Sequence, residues 1–424
     1  MSDSRVEDLS TFDFESYISN YEGYTRIARS LFIAKHSHAP LAIEAYKSAI
    51  QDIKANTFNT AKYKLALECL NSELSSQGQP SVPIDQDWIN EAQQKSKSTI
   101  EALEHDLKTA KSNLAKDEIR LCHTRIGDQY YKKGDLPTAM KNYVRTRDYC
   151  STSQNVIDMC FNTIKVYLDD RNYSHVVQTY ISRAEATPNM PDKVNTLSKL
   201  RCCQAISLLG GSDSPNRYRA VATALTEVSF ESASHVSDIM SANDVAIYGS
   251  LCALVSYDRR QFNTHILNNT NFKNFLVVEP SLYELLEAFY KSKYAICFEL
   301  LEKYKQTLAL DIYLASHIQA LVQLVREKAM VQYCIPYSMI DMRKMATAFN
   351  MDLDALENDL VTLIGKKQKI SARIDSHQKI LCTKKQEKRS EALERSLLAG
   401  DEFDKSSKAL LLRLHLLKAN LIVK

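Results

Sequence analysis

Apolar residues recur at two different periods along this chain, and the switch between them is clearest from Asp311 to Thr383. Ile312, Leu314, Ile318, Leu321, Leu324 and Val325 return near the helical period and predict a helix over Ile312–Ala329. Past Pro336, Met342, Met345, Ala346 and Phe349 share one face of a second helix over Tyr337–Asn350. Ser338 is placed to cap it, with Asp341 as the acidic arm of a capping box. A third helix starts after Asp352; Leu353, Leu356, Leu360, Leu363 and Ile364 line it, and Gly365 is placed to end it as a C′ glycine. The period then drops to two. Lys369–Asp375 alternates polar and apolar as a half-buried strand does, Ser376–Gln378 reads as a turn, and Lys379–Cys382 as the returning strand.

Three helices followed by a hairpin is the order of a winged-helix domain. Upstream, the pattern is helical throughout. Ile27, Leu31, Ile33 and Ala34 mark one helix, and Ile43, Tyr46, Ala49, Ile50 and Ile53 a second. Residues 75–86, rich in Ser with a Gly and two Pro, read as a loop or linker. Trp88–Leu114 predicts a polar helix with few apolar positions. A repeat follows: Ile126-Gly127, Tyr130, Gly134-Asp135, Ala139 and Tyr143 stand at tetratricopeptide spacings. The glycine permits close approach of two helices, Ala139 permits the return helix to pack, and the tyrosines fill the groove. Tyr167, Asn172, Val176 and Tyr180 echo this set, with Ile164 where the glycine would stand. Tyr130, Tyr143, Tyr167 and Tyr180 are expected in the core rather than in a ligand groove; Arg145, Arg147 and Asp148 are their candidate exposed neighbours.

Looser helical hairpins continue to Leu310, split by the turn at 210–216. Such hairpins cannot bury their apolar faces singly, so they stack into a solenoid. A final helical run from about Glu387 to Lys424 carries Leu393, Leu397, Phe403, Leu410, Leu414, Leu417 and Leu421 in a heptad-like register, widened by Leu411, Leu412 and Leu416. A terminal helix so apolar is expected to find a partner. The predicted class is all-α: a right-handed, tetratricopeptide-like helical solenoid ending in a winged helix and a long C-terminal helix. Its parts are a helical region over 1–115, repeats over 116–310, the winged helix over 311–384 and an assembly helix over 385–424.

Composition narrows the function. Charged residues at 25%, hydrophobic ones at 45% and a net charge of +3 are ordinary, so no global field favours nucleic acid or an anionic membrane. Nine Gly and nine Pro suit long helices. No apolar run reaches the length of a membrane span, and the acidic opening MSDSRVEDLS is unlike a signal peptide. The ten cysteines fall mostly in apolar helical runs, as Cys160, Cys252 and Cys297 do, and read as reduced. Cytosol or nucleus is the expected compartment.

The stretches at Tyr17–Ala34, 134–150, 243–254, 313–333 and 370–381 resemble, in order, those of PCI-domain proteins, the builders of the proteasome lid, the signalosome and a translation initiation factor complex. The wing ARIDSHQKIL and the run IYGSLCAL are most similar to the signalosome's subunit-one branch; the lid paralogue is the alternative. This resemblance implies a non-catalytic scaffold. The family's assembly removes a Nedd-type ubiquitin-like modifier from cullin-RING ubiquitin ligases, with the metalloprotease in another subunit. Other signalosome subunits would be met through winged-helix edges and C-terminal helices, cullin-RING ligases indirectly, and the protein would work in nucleus and cytoplasm.

Chemistry elsewhere is thin. His36-Ser37-His38 supplies half of a zinc pattern, but Ala49 stands where the carboxylate belongs, so no metal or cofactor is expected. No HExxH, GxSxG, GxxxxGK[ST] or GxGxxG occurs, and Cys150 and Cys382 have no paired histidine, so no enzyme is expected. A winged helix can bind DNA. Arg343, Lys344, Lys366, Lys367, Lys369, Lys384, Lys385, Lys388 and Arg389 surround this one, yet its third helix carries Asp354, Glu357 and Asp359 and no basic residue, which repels phosphate. Neither nucleic acid nor membrane is an expected partner. The wing has a better use, because an edge strand offers unpaired backbone groups that another chain can extend. Lys369, Ile370, Ala372, Arg373, Ile374, Ile380 and Leu381 are the expected seam; the plainer reading is an ordinary hairpin blunted by its lysines.

Overall fold

The computed structural model describes residues 13–38, 40–173, 175–188, 190, 192–211, 216–365, 369–383, 388–419 and 421. The helices are α1 (Phe14–Ser19), α2 (Gly23–His36), α3 (Leu41–Asn56), α4 (Thr60–Ser76), α5 (Gln86–Ser112), α6 (Lys116–Lys133) and α7 (Leu136–Arg145). There follow α8 (Ser153–Asp169), α9 (His175–Glu185), α10 (Lys193–Gly211), α11 (Arg217–Thr226), α12 (Ala233–Val236), α13 (Ala242–Ser256) and α14 (Arg259–Phe262). Next are α15 (Thr270–Val278), α16 (Pro280–Tyr290), α17 (Tyr294–Leu308) and α18 (Ile318–Cys334). The chain ends with β1 (Met339–Asp341), α19 (Met342–Phe349), α20 (Leu353–Gly365), β2 (Ala372–Asp375), β3 (Ile380–Thr383) and α21 (Lys388–Lys418). It is a helical solenoid followed by a winged-helix PCI module, and it forms two compact units divided after Lys328, inside α18. Among the described residues no helix is long and apolar enough to cross a membrane.

In the first unit helices pack mainly on their chain neighbours: α2 on α3, α3 on α4, α5 on α6, α6 on α7, α8 on α9, α10 on α11. The local chemistry explains the boundaries. Gly134 ends α6 at φ 87°, where a side chain would overlap Asn59, and Asp135 then caps α7 by accepting from the Thr138 N–H at 3.2 Å. Asp85 caps α5 through the Trp88 N–H at 3.0 Å, and Trp88 packs on Tyr63 with ring centroids 4.9 Å apart. The loop before α5 is tied down rather than free: the Asn71 side chain both donates to Val82 O and accepts from Val82 N. The predicted helix from Ile312 begins only at Ile318. Asp311 takes the preceding segment instead, its Oδ1 accepting from the N–H groups of Tyr313 and Leu314.

In the second unit the sheet runs β1-β3-β2, antiparallel throughout, with Ile340 opposite Leu381 and Ile374 opposite Leu381 on the other side. Ile340, Met342, Met345, Ala346, Phe349, Leu356, Leu360, Leu363, Ile370 and Leu381 are buried. Two sequence expectations are corrected here. The second helix begins at Met342, and its cap is Asp341 itself, which accepts from the Arg343 N–H at 2.9 Å; Ser338 lies instead beside β3, its carbonyl accepting from the Thr383 N–H. Gly365 is the last residue of α20 and does not take the left-handed conformation of a C′ glycine.

Candidate interaction surfaces and a buried polar hub

The repeat residues lie where helix meets helix. A Cβ on Gly127 would stand 2.7 Å from Tyr143 Cε1, so α6 and α7 approach through that glycine. Tyr143 is buried and its hydroxyl donates to Asp128 Oδ1 at 2.6 Å. Ala139 is fully buried and shares a cluster with Tyr24, Tyr131, Tyr143 and Val166, against which Tyr130 packs half-buried. Tyr167 and Tyr180, both half-buried, face each other across α8 and α9 with centroids 6.4 Å apart. The Val176 side chain lies outside the described residues. Arg145, Arg147 and Asp148 are exposed.

A second constellation in this unit was missed as a site by pattern reading. Arg29 is fully buried on α2. One guanidinium nitrogen lies 2.9 Å from Asp311 Oδ2 and 2.6 Å from the Tyr17 hydroxyl; the other lies 2.7 Å from Asp244 Oδ2 on α13. Tyr21 donates to Asp244 Oδ1 at 2.8 Å while its ring covers the guanidinium at 4.2 Å, and the Tyr248 hydroxyl lies 2.7 Å from both Asp311 oxygens. Burial alone would lower the Arg29 pKa, but Asp244 and the tyrosines outweigh it and hold the cation well above its usual range. Asp244 is pushed up to about 6, first by burial and then by Asp311, with Arg29 opposing. The cause is countable, since two carboxylates share one guanidinium. The hub fastens α1 and α2 to α13 and to the segment after α17. The signal available in the sequence was a cation one turn before buried Ile33, on a helix face that otherwise faces inward.

Around the winged helix, β3 is the middle strand, paired to β1 on one side and β2 on the other. Ile380 and Leu381 therefore cannot belong to a free edge, which corrects their place in the expected seam; the ladder already uses their backbone groups, and Leu381 is fully buried. Ala372, Arg373 and Ile374 do lie on an edge strand. Arg373 and Lys369 are exposed, Ala372 and Ile374 half-buried, and Ile370 is buried just before β2. Asp375 shapes the wing turn, its Oδ1 accepting from the His377 and Gln378 N–H groups. On α20, Glu357 pairs with Lys379 at 2.7 Å and accepts from the Ser376 hydroxyl, which holds its carboxyl below the usual range. Arg343, Lys344 and Arg389 are exposed, whereas Lys366, Lys367, Lys384 and Lys385 lie outside the described residues.

Along α21, Leu393, Leu397, Phe403, Leu410 and Leu414 are each more than half exposed, as is Leu421 beyond it, and Leu417 is half-buried. His36 Nδ1 lies against the Phe32 carbonyl at 2.9 Å, and no group of three metal-ligating side chains is assembled among the described residues.

The family model described as 26S proteasome subunit RPN7 matches residues 85–265, and the PCI domain model matches residues 301–385. COP9 signalosome complex subunit 1 of Arabidopsis thaliana is 36% identical over 410 residues, covering 96% of this chain and 90% of the relative. Subunit 1b of the same complex from Drosophila melanogaster is 33% identical over 464 residues, covering 98% and 87%. The 26S proteasome non-ATPase regulatory subunit 6 of Dictyostelium discoideum is 21% identical over 320 residues, covering 75% and 81%.

Proposed function

This chain belongs to the COP9 signalosome complex subunit 1 family of PCI-domain proteins, and from that premise we propose that it is a non-catalytic scaffold subunit of a signalosome. In this reading it supports removal of the Nedd-type modifier from cullin-RING ubiquitin ligases by a different subunit, in nucleus and cytoplasm. It meets other signalosome subunits through the β2 edge of the winged helix, at Ala372, Arg373 and Ile374, and through α21. Cullin-RING ligases are met indirectly.

The observation that carries the reading is the exposed apolar face of α21, on a chain that covers nine-tenths of its Arabidopsis relative. A face of that kind is costly in water and is kept where another helix covers it. Assembly into the proteasome lid is the rival favoured by the RPN7 match, but the lid relative is far less similar. Nucleic-acid binding is disfavoured by Asp354, Glu357 and Asp359 on α20.

The test is a tagged pull-down of the full chain and of a version cut after Thr383. Lid-like subunits and cullin-demodifying activity should accompany the full chain and be lost with the cut. Recovery of proteasome particles instead would establish the lid reading, and recovery of the chain alone would end the scaffold reading.

A further inference from the structure

The loop joining α4 to α5 folds back against α3 and α4 and leaves a groove of about 530 Å³. All of these elements lie in the continuously described stretch 40–173. Tyr63, Leu67 and Leu70 of α4 are buried beneath the groove as its floor, and Ile50, Val82, Pro83 and Trp88 form apolar walls that solvent reaches. Polar bonds hold those walls in place. The Asn71 side chain bonds both Val82 N and Val82 O, Asp85 Oδ2 lies 2.7 Å from Lys54 Nζ, and the Asp85 N–H donates to the Tyr63 hydroxyl at 3.3 Å. The loop is thus fastened without covering its own apolar side chains: Val82 is 39% exposed and Ile84 50%. Along the α3 side stand Lys47, Gln51 and Lys54, on one helical face and about 10 Å from first to last at ~1.5 Å per residue. Lys54 is neutralised by Asp85, the one carboxylate lining the groove among the described residues. Lys47 is exposed, and among the described residues it has no ion pair and the Gln51 side chain no hydrogen bond.

We propose that this groove docks a short extended segment of a partner protein, which sets one aromatic or large aliphatic side chain against Trp88 and a carboxylate beside Lys47. The two ends of the groove are about three extended residues apart at ~3.3 Å each, which fixes the spacing of anchor and acid. Charge decides the sign of the second group: an acidic segment gains an ion pair with Lys47 and a basic one is repelled. Midway between them the Gln51 amide offers one acceptor and a donor pair, the complement of a peptide group, and so favours a peptide over a small acid. Apolar walls with a few placed polar groups are the build of a ligand site, and walls already fixed lower the ordering cost of binding. This docking uses neither the β2 edge nor α21 and does not depend on the assembly proposed above.

Trp88 is the single tryptophan of the chain, so its emission reports on the groove directly. The full chain is titrated with a capped peptide carrying phenylalanine with glutamate about three residues to either side. Beside it run versions with serine for the phenylalanine or lysine for the glutamates, and 3-phenylpropionate, which has the ring and the charge without the peptide. The acidic phenylalanine peptide should shift the emission saturably, and loss of its ring should weaken binding about tenfold or more. Lys47→Glu should reverse the preference between the acidic and the basic peptide, and the melting temperature without peptide should stay near that of the parent, since Lys47 is exposed. Val82→Ser keeps the backbone bonds to Asn71 and removes part of the apolar wall, so it should weaken both peptides about severalfold. Binding of 3-phenylpropionate as tight as that of the peptide would make this a site for a small aromatic acid and end the proposal. So would the absence of a saturable shift, equal binding of the serine version, or a preference that Lys47→Glu leaves unchanged.

Discussion

At the scale of single residues, Arg29 decides more of the fold than any repeat position. Its partners Asp244 and Asp311 lie 215 and 282 residues along the chain, so no local pattern reveals them. Removing the cation strands two buried carboxylates. Arg29→Met should therefore cost about 3–5 kcal/mol, the penalty for breaking a buried ion pair from one side, against a typical stability of about 5–15 kcal/mol. Denaturant midpoints at neutral pH check this, and a loss under about 1 kcal/mol would mean that solvent reaches the hub. The surplus carboxylate has a second consequence. The Asp244 pKa is raised from 3.8 to about 6, so the folded state holds this proton more tightly than the unfolded state does. That contribution is fully present below about pH 4 and is lost as pH rises through about 6. Asp244→Asn removes the titration. The stability difference between parent and variant should then change by an amount on the order of 2–3 kcal/mol across that window, and stay flat above it. A difference independent of pH would place the titration elsewhere.

Elements were legible in proportion to how periodic they are. The Gly127, Ala139 and Tyr143 spacing is readable because two adjacent helices must touch at fixed offsets, and Tyr143 does lie over Gly127. Gly127→Ala brings two effects into conflict. Alanine favours the helix by about 1 kcal/mol, while the new methyl meets a ring whose hydroxyl is held by Asp128 and costs about 1–3 kcal/mol. The clash should win, giving net destabilisation, and Tyr143→Leu in the same chain should recover most of it. If Gly127→Ala alone raises the melting temperature, the ring moves aside freely and the close approach is not what the glycine is for. β1 escaped the reading for the opposite reason. Three residues carry no period, and the segment Ser338–Asp341 looks like a helix cap until Met339 pairs with Cys382. That single missed strand moved Ile380 and Leu381 from an edge to the middle of the sheet.

For the whole molecule, what matters is which apolar surface folding leaves uncovered. The solenoid satisfies its faces through neighbouring helices, and Cys202, Cys252 and Cys297, buried with their thiols pushed above the ordinary range, behave as small apolar groups. In α21 the heptad-like leucines could be read from sequence because their spacing is regular, and Leu393, Leu397, Leu410 and Leu414 remain exposed because nothing in the described chain covers them. Each leucine covered by a partner contributes about 1.5–3 kcal/mol, so a few of them suffice to anchor a subunit. Replacing Leu410, Leu414 and Leu417 together by Asp should abolish co-purification of partner subunits. It should change the helical circular dichroism and the melting temperature of the isolated chain little, since Leu410 and Leu414 are exposed and Leu417 is half-buried, none of them in the core. The two measurements separate the roles. Loss of partners with helicity intact assigns the face to assembly, whereas helicity falling in step with partner loss would mean that these leucines hold the chain's own fold together and that the contacts with other subunits lie elsewhere.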